Sequence, residues 1–489
     1  MGTCILHVSS LFGGGVDRHL RDIARAVPGR HLIWHVGERA EALEVPAENR
    51  FVALDPRRID AEPAALAQAL RAERVGLVHL HSSSPPARAR AAQATKALGV
   101  KRMVTLHDVL FLRPDAFEVD PDAPPDAQWL ANTAAELRDT AAVLAPSEFM
   151  ASKARQHIPG LEVSVVPNGS PPPVDSTAEA RPDFLAHRPR HVVAVLGAIG
   201  PHKGSELLEA LPAHLEGSDI AVVVIGYLDR QLFPGWRVPG RLFVHGAYDD
   251  AQTGALLRAY GAQLVLFPNR VEESFSYALS DAWAAGVPVL AAPLGALAER
   301  VRHCACGWLL RPGFDAHEVA TRLRHLFAHT GPSGLAEVES ALSRPDPARI
   351  PTLDDMARSL DAFYRRFAID PASPDAADGA ALQRLLAANL DGSVFRQELV
   401  RLADEYAQVK TALDGERSRT EAFERQSREW MAKLERDIEA LKAELAGEVA
   451  QRRDLGQQIV QLQIHKDAFD LLPEIVRKLL LKKILDARN

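Results

Sequence analysis

The sequence predicts an α/β protein of two doubly wound units, each a mostly parallel sheet covered by helices, followed by a long helical rod. Three observations carry this. Short apolar runs alternate with helical patterns in two successive series, and a proline-rich stretch from Ser170 to Arg181 parts them. The predicted strands end in Gly, His, Asn and Lys, residue types that serve a ligand better than a core. Between Ala380 and Leu472 proline disappears and apolar residues recur by sevens. The chain has 489 residues, 47% apolar and 25% charged, which is room for two or three domains with a sizeable core. Its net charge of -7 argues against bulk nucleic-acid binding.

The first unit spans residues 1–181. A strand from Thr3 to Ser9 opens directly into Leu11-Phe12-Gly13-Gly14-Gly15, then a helix from Val16 to Ala26. With no side chains on the glycines, a phosphate can approach the free N–H groups of the helix start. Gly14 and Gly15 are therefore candidate phosphate holders. Further strands are expected at Leu32–Val36, Val75–Leu80, Arg102–Leu106, Ala141–Leu144 and Val163–Val166, with helices at Ala64–Arg74 and Ala87–Leu98. Three strand ends are polar: His79 to Ser83, Thr105 to Asp108, and Pro167 to Gly169. Residues Val109 to Gln128, rich in Pro and Asp, suit either a flap over the sheet or a tolerated insertion.

The second unit spans residues 182–367. Strands are expected at Arg190–Leu196, Ile220–Ile225, Arg241–Val244, Gln263–Phe267 and Val287–Ala291. The first is followed by Gly197 to Gly204, where Lys203 offers a point charge at a loop-to-helix junction. The stretch Pro268–Pro293 reads as loop, helix and buried strand. The helix is expected from Ser274 to Ala285, with Ser274 and Ser276 as capping-type residues and Gly286 as its stop. Glu273 and Asp281 stand eight positions apart. At ~100° and ~1.5 Å per residue they share one side, about 12 Å apart along the axis. The paired carboxylates of a glycosidase lie within roughly 5–9.5 Å, so these two do not share one scissile bond. They can grip two ends of an elongated ligand with hydroxyls at both ends and an anion between, the layout of a nucleotide-sugar.

Glu273-Ser274-Phe275-Ser276, then Asp281-Ala282, then Ala285-Gly286-Val287-Pro288-Val289 resembles the signature of glycosyltransferase family 4, which has the GT-B fold. That resemblance implies two Rossmann-like domains facing a cleft, with the acceptor on the side of the first and the nucleotide-sugar on the second. It implies a retaining, metal-independent transfer with no cofactor, and no Asp-x-Asp pair stands at a plausible strand end. Carried over, Gly14, Gly15 and Lys203 hold the diphosphate, Glu273 the donor sugar hydroxyls and Asp281 the ribose. Ser274, Phe275 and Ser276 line the donor site. His107, followed by Asp108, lies beside the transferring carbon, and His19 follows the glycine loop as in the family. Two positions depart from the pattern: Asp281 stands where Glu is usual, and Ala198 where the family has an Arg, so His202 is a candidate substitute cation.

After a linker at 368–379 the heptad pattern predicts a coiled coil over 380–472, with a four-residue shift near Leu434. Such a seam needs a partner chain, so a homo-oligomer is expected. Residues 473–489 pair an Ile/Leu face with Arg477, Lys478, Lys482 and Lys483, which fits either contact with an anionic membrane surface or a helix folded on the rod. Cys4, Cys304 and Cys306 form no disulfide framework, so reduced thiols in a cytoplasmic protein, peripheral at the membrane's inner face, are expected. The resulting expectation is transfer from a nucleotide-sugar to a glycan or lipid-linked acceptor in bacterial surface polysaccharide synthesis. The rivals are a GT-B nucleotide-sugar epimerase and a catalytically decayed scaffold.

Overall fold

The computed structural model describes residues 4–10, 14–37, 41–82, 84–114, 124–171, 177–187, 189–304, 306–328, 350–370, 381 and 385–391. The first sheet contains β1 Cys4–Ser10, β2 Arg30–Val36, β3 Glu41–Val45, β4 Arg50–Leu54, β5 Val75–Leu80, β6 Lys101–Thr105, β7 Ala142–Ala145 and β8 Val163–Val165. The second contains β9 His191–Ile199, β10 Ile220–Leu228, β11 Gly235–Val238, β12 Leu242–Val244, β13 Leu264–Phe267, β14 Val289–Ala291 and β15 Gly307–Leu309. A last strand, β16 Leu386–Asp391, returns to the first sheet. The orders are β16-β4-β3-β2-β1-β5-β6-β7-β8 and β11-β12-β10-β9-β13-β14-β15.

Each sheet reverses its winding once. In the first, β1 pairs in parallel with both β2 and β5. In the second, β9 pairs in parallel with both β10 and β13. Ligands of open α/β sheets sit beyond the carboxyl ends of the strands at such a switch point. In this chain those ends carry the glycine turn after β1, His81 after β5, Lys203 after β9 and Glu273 after β13.

The expected strands are present with ends shifted by at most three residues, Val75–Leu80 without any shift. Five described strands were not anticipated. β3 and β4 form an antiparallel hairpin on β2 whose turn holds Asn49 at φ 48°. β11 and β15 close the edges of the second sheet. β16 lies antiparallel on β4 and overturns the helical expectation for its own residues, at the start of the 380–472 stretch. A strand there covers the unpaired N–H and C=O groups that β4 would otherwise expose. The rest of the expected coiled coil and the basic segment 473–489 lie outside the described residues.

The final helix of the second unit, Leu353–Phe367, opens on a reciprocal cap. Thr352 Oγ1 accepts from the Asp355 N–H at 3.1 Å, and the Asp355 carboxylate accepts from the Thr352 N–H at 3.2 Å. Its Met356, Leu360 and Tyr364 pack with Ile5, Leu77 and Met103 of the first sheet, so this part of 182–367 belongs physically to the first unit's core. Gly169 makes the crossing possible, because a Cβ there would lie 2.5 Å from the Thr352 carbonyl oxygen. Cys304 and Cys306 are joined by a disulfide, which corrects the expectation of three free thiols; Cys4 is free and buried. Among the described residues no helix is long and apolar enough to cross a membrane.

Candidate functional site

The second sheet's half of the site is built where the loops after β9 and β13 touch. Residues Pro201–Lys203 make one turn of 3-10 helix. Gly204 follows at φ 86°, and a Cβ on it would sit 2.4 Å from the Pro268 carbonyl oxygen. Only glycine lets these loops nest. The Arg270 N–H then donates to the His202 carbonyl at 2.9 Å, and Lys203 Nζ comes to 3.9 Å from Glu273 Oε1. Both side chains keep part of their surface open, 35% and 21%. Asn269 Nδ2 donates to Glu273 Oε1 at 2.7 Å and fixes the carboxylate. One cation and one acceptor-only group thus stand side by side at the switch point, suited to a phosphate and a hydroxyl.

The Ser274–Ser276 loop is shaped by Arg300, which sequence reasoning missed. Its Nη1 donates to the carbonyls of Phe275 and Ser276, each at 2.8 Å, and its Nη2 to Ser280 Oγ at 2.7 Å. The guanidinium lies 3.8 Å from the centre of the Phe275 ring. Burial lowers its pKa to about 9, still charged at neutral pH. The expected serine capping is corrected. The helix begins at Tyr277, and Ser276 precedes it at φ 70° with no side-chain cap bond. Such a backbone costs about 1–3 kcal/mol at a non-glycine residue, and the arginine's two carbonyl contacts hold it. Gly286, at φ 73°, does end this helix.

Asp281 is already engaged. Arg18, one turn into the helix Gly14–Ala26, reaches across and donates to both carboxylate oxygens at 2.7 and 2.8 Å. The same guanidinium stacks over the Tyr277 ring at 4.4 Å and lies 3.8 Å from Asp250. A ribose reaching Asp281 would share it with Arg18. More contacts span the two sheets. Ser147 Oγ donates to the Ser274 carbonyl at 2.7 Å, Lys153 pairs with Glu272, and Glu299 accepts from the Glu148 and Phe149 N–H groups at a helix start. Gly15 lies beside Tyr277, and Gly14 takes φ 73° at the helix start.

The first sheet's half is a cluster of imidazoles. His107 Nε2 lies 3.1 Å from His81 Nδ1, and its ring centre 4.9 Å from that of His19. His19 Nδ1 is 3.4 Å from the Tyr277 hydroxyl, which links this half to the other. Burial pulls the His107 pKa down to about 4 and that of His79 to about 3. His7, His19 and His81 are held well below the usual range by burial and by their histidine neighbours. Asp108 caps the turn after β6, its Oδ1 accepting from the Leu110 N–H at 2.9 Å. Two triads, His7/His79/His81 and His19/His81/His107, each bring ring nitrogens within 4.8 Å. Both nitrogens of His7, His79 and His81 are committed to hydrogen bonds, so a metal would have to break them.

Residues 13–172 match the sequence profile described as Glycosyltransferase Family 4, and 176–333 that of Glycosyl transferases group 1. These two segments are glycosyltransferase domains of the GT-B type. The chain is 35% identical over 166 residues to the phosphatidyl-myo-inositol mannosyltransferase of Mycobacterium leprae, covering 32% of this chain and 42% of that protein. It is 27% identical over 229 residues to a lipopolysaccharide 1,2-N-acetylglucosaminetransferase of Salmonella typhimurium, covering 42% and 58%. The matches thus span about half the length of these curated relatives. The Anabaena HepE structure, a complex with UDP and glucose, superposes with a TM-score of 0.54 at 16% identity, covering 75% of this chain and all of that one. A Rickettsia africae glycosyltransferase structure gives 0.50 at 17%, covering 75% and 98%. At these identities the two structures speak for the fold alone.

The structure brings Lys203 and Glu273 together, and sets Ser274, Phe275 and Ser276 on the loop beside them. Gly15 and Asp281 meet Tyr277 and Arg18 at the seam between the sheets. His107 stands with His19 and His81 on the first sheet's side. Ala198 pairs with Tyr227 in the sheet, and no cation occupies its place. Arg18, Tyr277 and Arg300 are the site residues the sequence reading passed over. An arginine on the glycine-loop helix was a signal for the first; the others act through tertiary contacts only.

Proposed function

We propose that this protein transfers a sugar from a nucleotide-sugar to a hydroxyl of a glycan or lipid-linked acceptor, with retention at the anomeric carbon and without a metal ion. The observation that carries this reading is the Lys203–Glu273 pair at a switch point of a glycosyltransferase domain. Lys203 takes the diphosphate with the glycine turn of Gly14 and Gly15, Glu273 takes the donor sugar hydroxyls, and the Ser274–Ser276 loop lines the donor. Asp281 shares the ribose with Arg18. In the reaction the anomeric carbon's bond to the phosphate oxygen breaks and a bond to the acceptor oxygen forms on the same face. The acceptor proton passes to the leaving phosphate. The protein supplies position and charge stabilisation.

The reading extends to surface polysaccharide or lipid glycosylation, supported by the names of the relatives, and to a place at the inner face of a bacterial membrane. It includes a homo-oligomer through the heptad segment and a membrane contact through the basic end. A thermal-shift screen of nucleotide-sugars, followed by mass spectrometry of products formed on lipid-linked acceptors, tests it. A shift with one donor, lost in Glu273→Ala and Lys203→Ala, together with a glycosylated product, is expected. Free epimer without any acceptor would make it an epimerase. No shift with any donor would leave a scaffold.

A further inference from the structure

Three buried histidines and the half-buried His107 form one continuous chain of ring-to-ring hydrogen bonds. His31 Nε2 is 3.0 Å from the Val27 carbonyl, and His31 Nδ1 is 3.0 Å from His7 Nε2. His7 Nδ1 is 3.0 Å from His81 Nε2, and His81 Nδ1 is 3.1 Å from His107 Nε2. The rings come from β1, β2 and the loops that end β5 and β6. A carbonyl can only accept, so the far end of the chain has one sense. His31 Nε2 carries its proton and donates to Val27, which leaves His31 Nδ1 a bare lone pair. His7 Nε2–H must therefore donate to it, His81 Nε2–H to His7 Nδ1, and His107 Nε2–H to His81 Nδ1. These donor directions hold for neutral rings. Burial lowers the pKa at all four, and like-charged neighbours add to this at His7 and His81.

We infer that the Val27–His31–His7–His81 chain is a positioning device that locks His107 as its Nε2–H tautomer and presents the Nδ1 lone pair to the cleft. His107 Nδ1 makes no hydrogen bond among the described residues, whereas His81 and His7 have no nitrogen left over. The consequence is selectivity. His107 accepts a hydrogen bond from a hydroxyl and has nothing to donate at that face. A neutral sugar hydroxyl is accepted there, and an acceptor-only group such as a uronate carboxylate is turned away, because two lone pairs would face each other. This selectivity rests on the donor-site reading above; the tautomer does not.

The test is nitrogen-15 NMR of the full chain labelled at histidine, with His107→Gln to assign the ring. In the expected spectrum His31, His7, His81 and His107 are neutral Nε2–H rings, with a pyridine-type Nδ1 at His107. A Nδ1–H tautomer or an imidazolium at His107 overturns the inference. So does stoichiometric loss of these signals on adding Zn²⁺, which would make the cluster a metal centre. His7→Phe cuts the chain, so His81 and His107 become tautomer mixtures and kcat/KM for a hydroxyl-bearing donor drops about tenfold, the size of one hydrogen bond. His31→Gln keeps both the donor and the acceptor and should retain the wild-type tautomer at His107. If His7→Phe fails to fold, His31→Leu takes its place. The locked tautomer with no response at Nδ1 to any bound nucleotide-sugar overturns the selectivity while leaving the lock intact. A donor response without the locked tautomer overturns the lock alone.

Discussion

The two halves of the cleft solve opposite electrostatic problems. The first sheet offers a wall of neutral imidazoles, with His7 and His81 bonded only to other rings and His79 to the Tyr364 hydroxyl and Thr105 Oγ1. The second offers net charges: Lys203 beside Glu273 with water access, and Arg300 sealed beneath the loop. The difference teaches where a phosphate and a sugar should go. A diphosphate needs a cation and free N–H groups, so the proposed reading sets it against the second sheet and the glycine turn. A sugar ring needs fixed hydrogen-bond partners, so the proposed reading sets it between Glu273, held by Asn269, and His107.

The largest effect should come from breaking the charged half at its base. Arg300→Met leaves two carbonyls and the Ser280 hydroxyl without a buried donor and frees Ser276 from its φ of 70°. A loss of about 3–5 kcal/mol is expected from denaturant unfolding, because three neutral acceptors lose their donor at about 1–3 kcal/mol each. A loss below about 1 kcal/mol would show that the loop does not depend on it. Next is Glu273→Ala, expected to cut kcat about 10²–10³-fold at nearly unchanged stability, the range for removing one preorganised polar group. A kcat within threefold of wild type would remove Glu273 from the site.

The neutral half should reveal itself by pH. His107 and His79 have pKa values drawn from 6.5 to about 4 and about 3, so the folded state disfavours their protonation. Their stabilising contribution is complete above about pH 6.5. It is lost progressively as pH falls toward about 4, because the unfolded chain binds the protons first. Each ring changes stability by up to about 1.4 kcal/mol per pH unit in that window. A Tm unchanged between pH 7 and pH 4.5 would mean the rings are not buried neutral. The smallest effect is expected at the seam: Arg18→Ala removes a half-buried bidentate pair and should cost about 1–2 kcal/mol or less. If Asp281 serves the ribose, Asp281→Ala weakens nucleotide binding more than it slows the chemical step.

Much of this fold was legible because parallel strands buried on both faces read as apolar runs between helices. The hairpin β3–β4 was not, because its first strand hides buried acids. Glu41 accepts from Trp34 Nε1 and Arg90, and Glu44 pairs with His35, so a polar-looking segment is core. The charged half of the site was legible because Lys203, Glu273 and the intervening loop are placed by local turn chemistry at strand ends. The neutral half was only half legible. His79, His81 and His107 stood out at strand ends, but His7 and His31 lie inside strands, and only sheet pairing puts their rings in line. Arg300 had no local signal at all, since its partners are 20 to 25 positions away.

On the proposed function a diphosphate is held where Lys203 and Glu273 meet, with the glycine turn. Isothermal calorimetry of nucleoside diphosphates against the full chain and Lys203→Ala tests it directly. One diphosphate should bind the wild type at one site per chain and lose about tenfold or more in affinity, about 1.4 kcal/mol, in the variant. Equal affinity in both proteins, or no binding of any nucleoside diphosphate to the wild type, would contradict it.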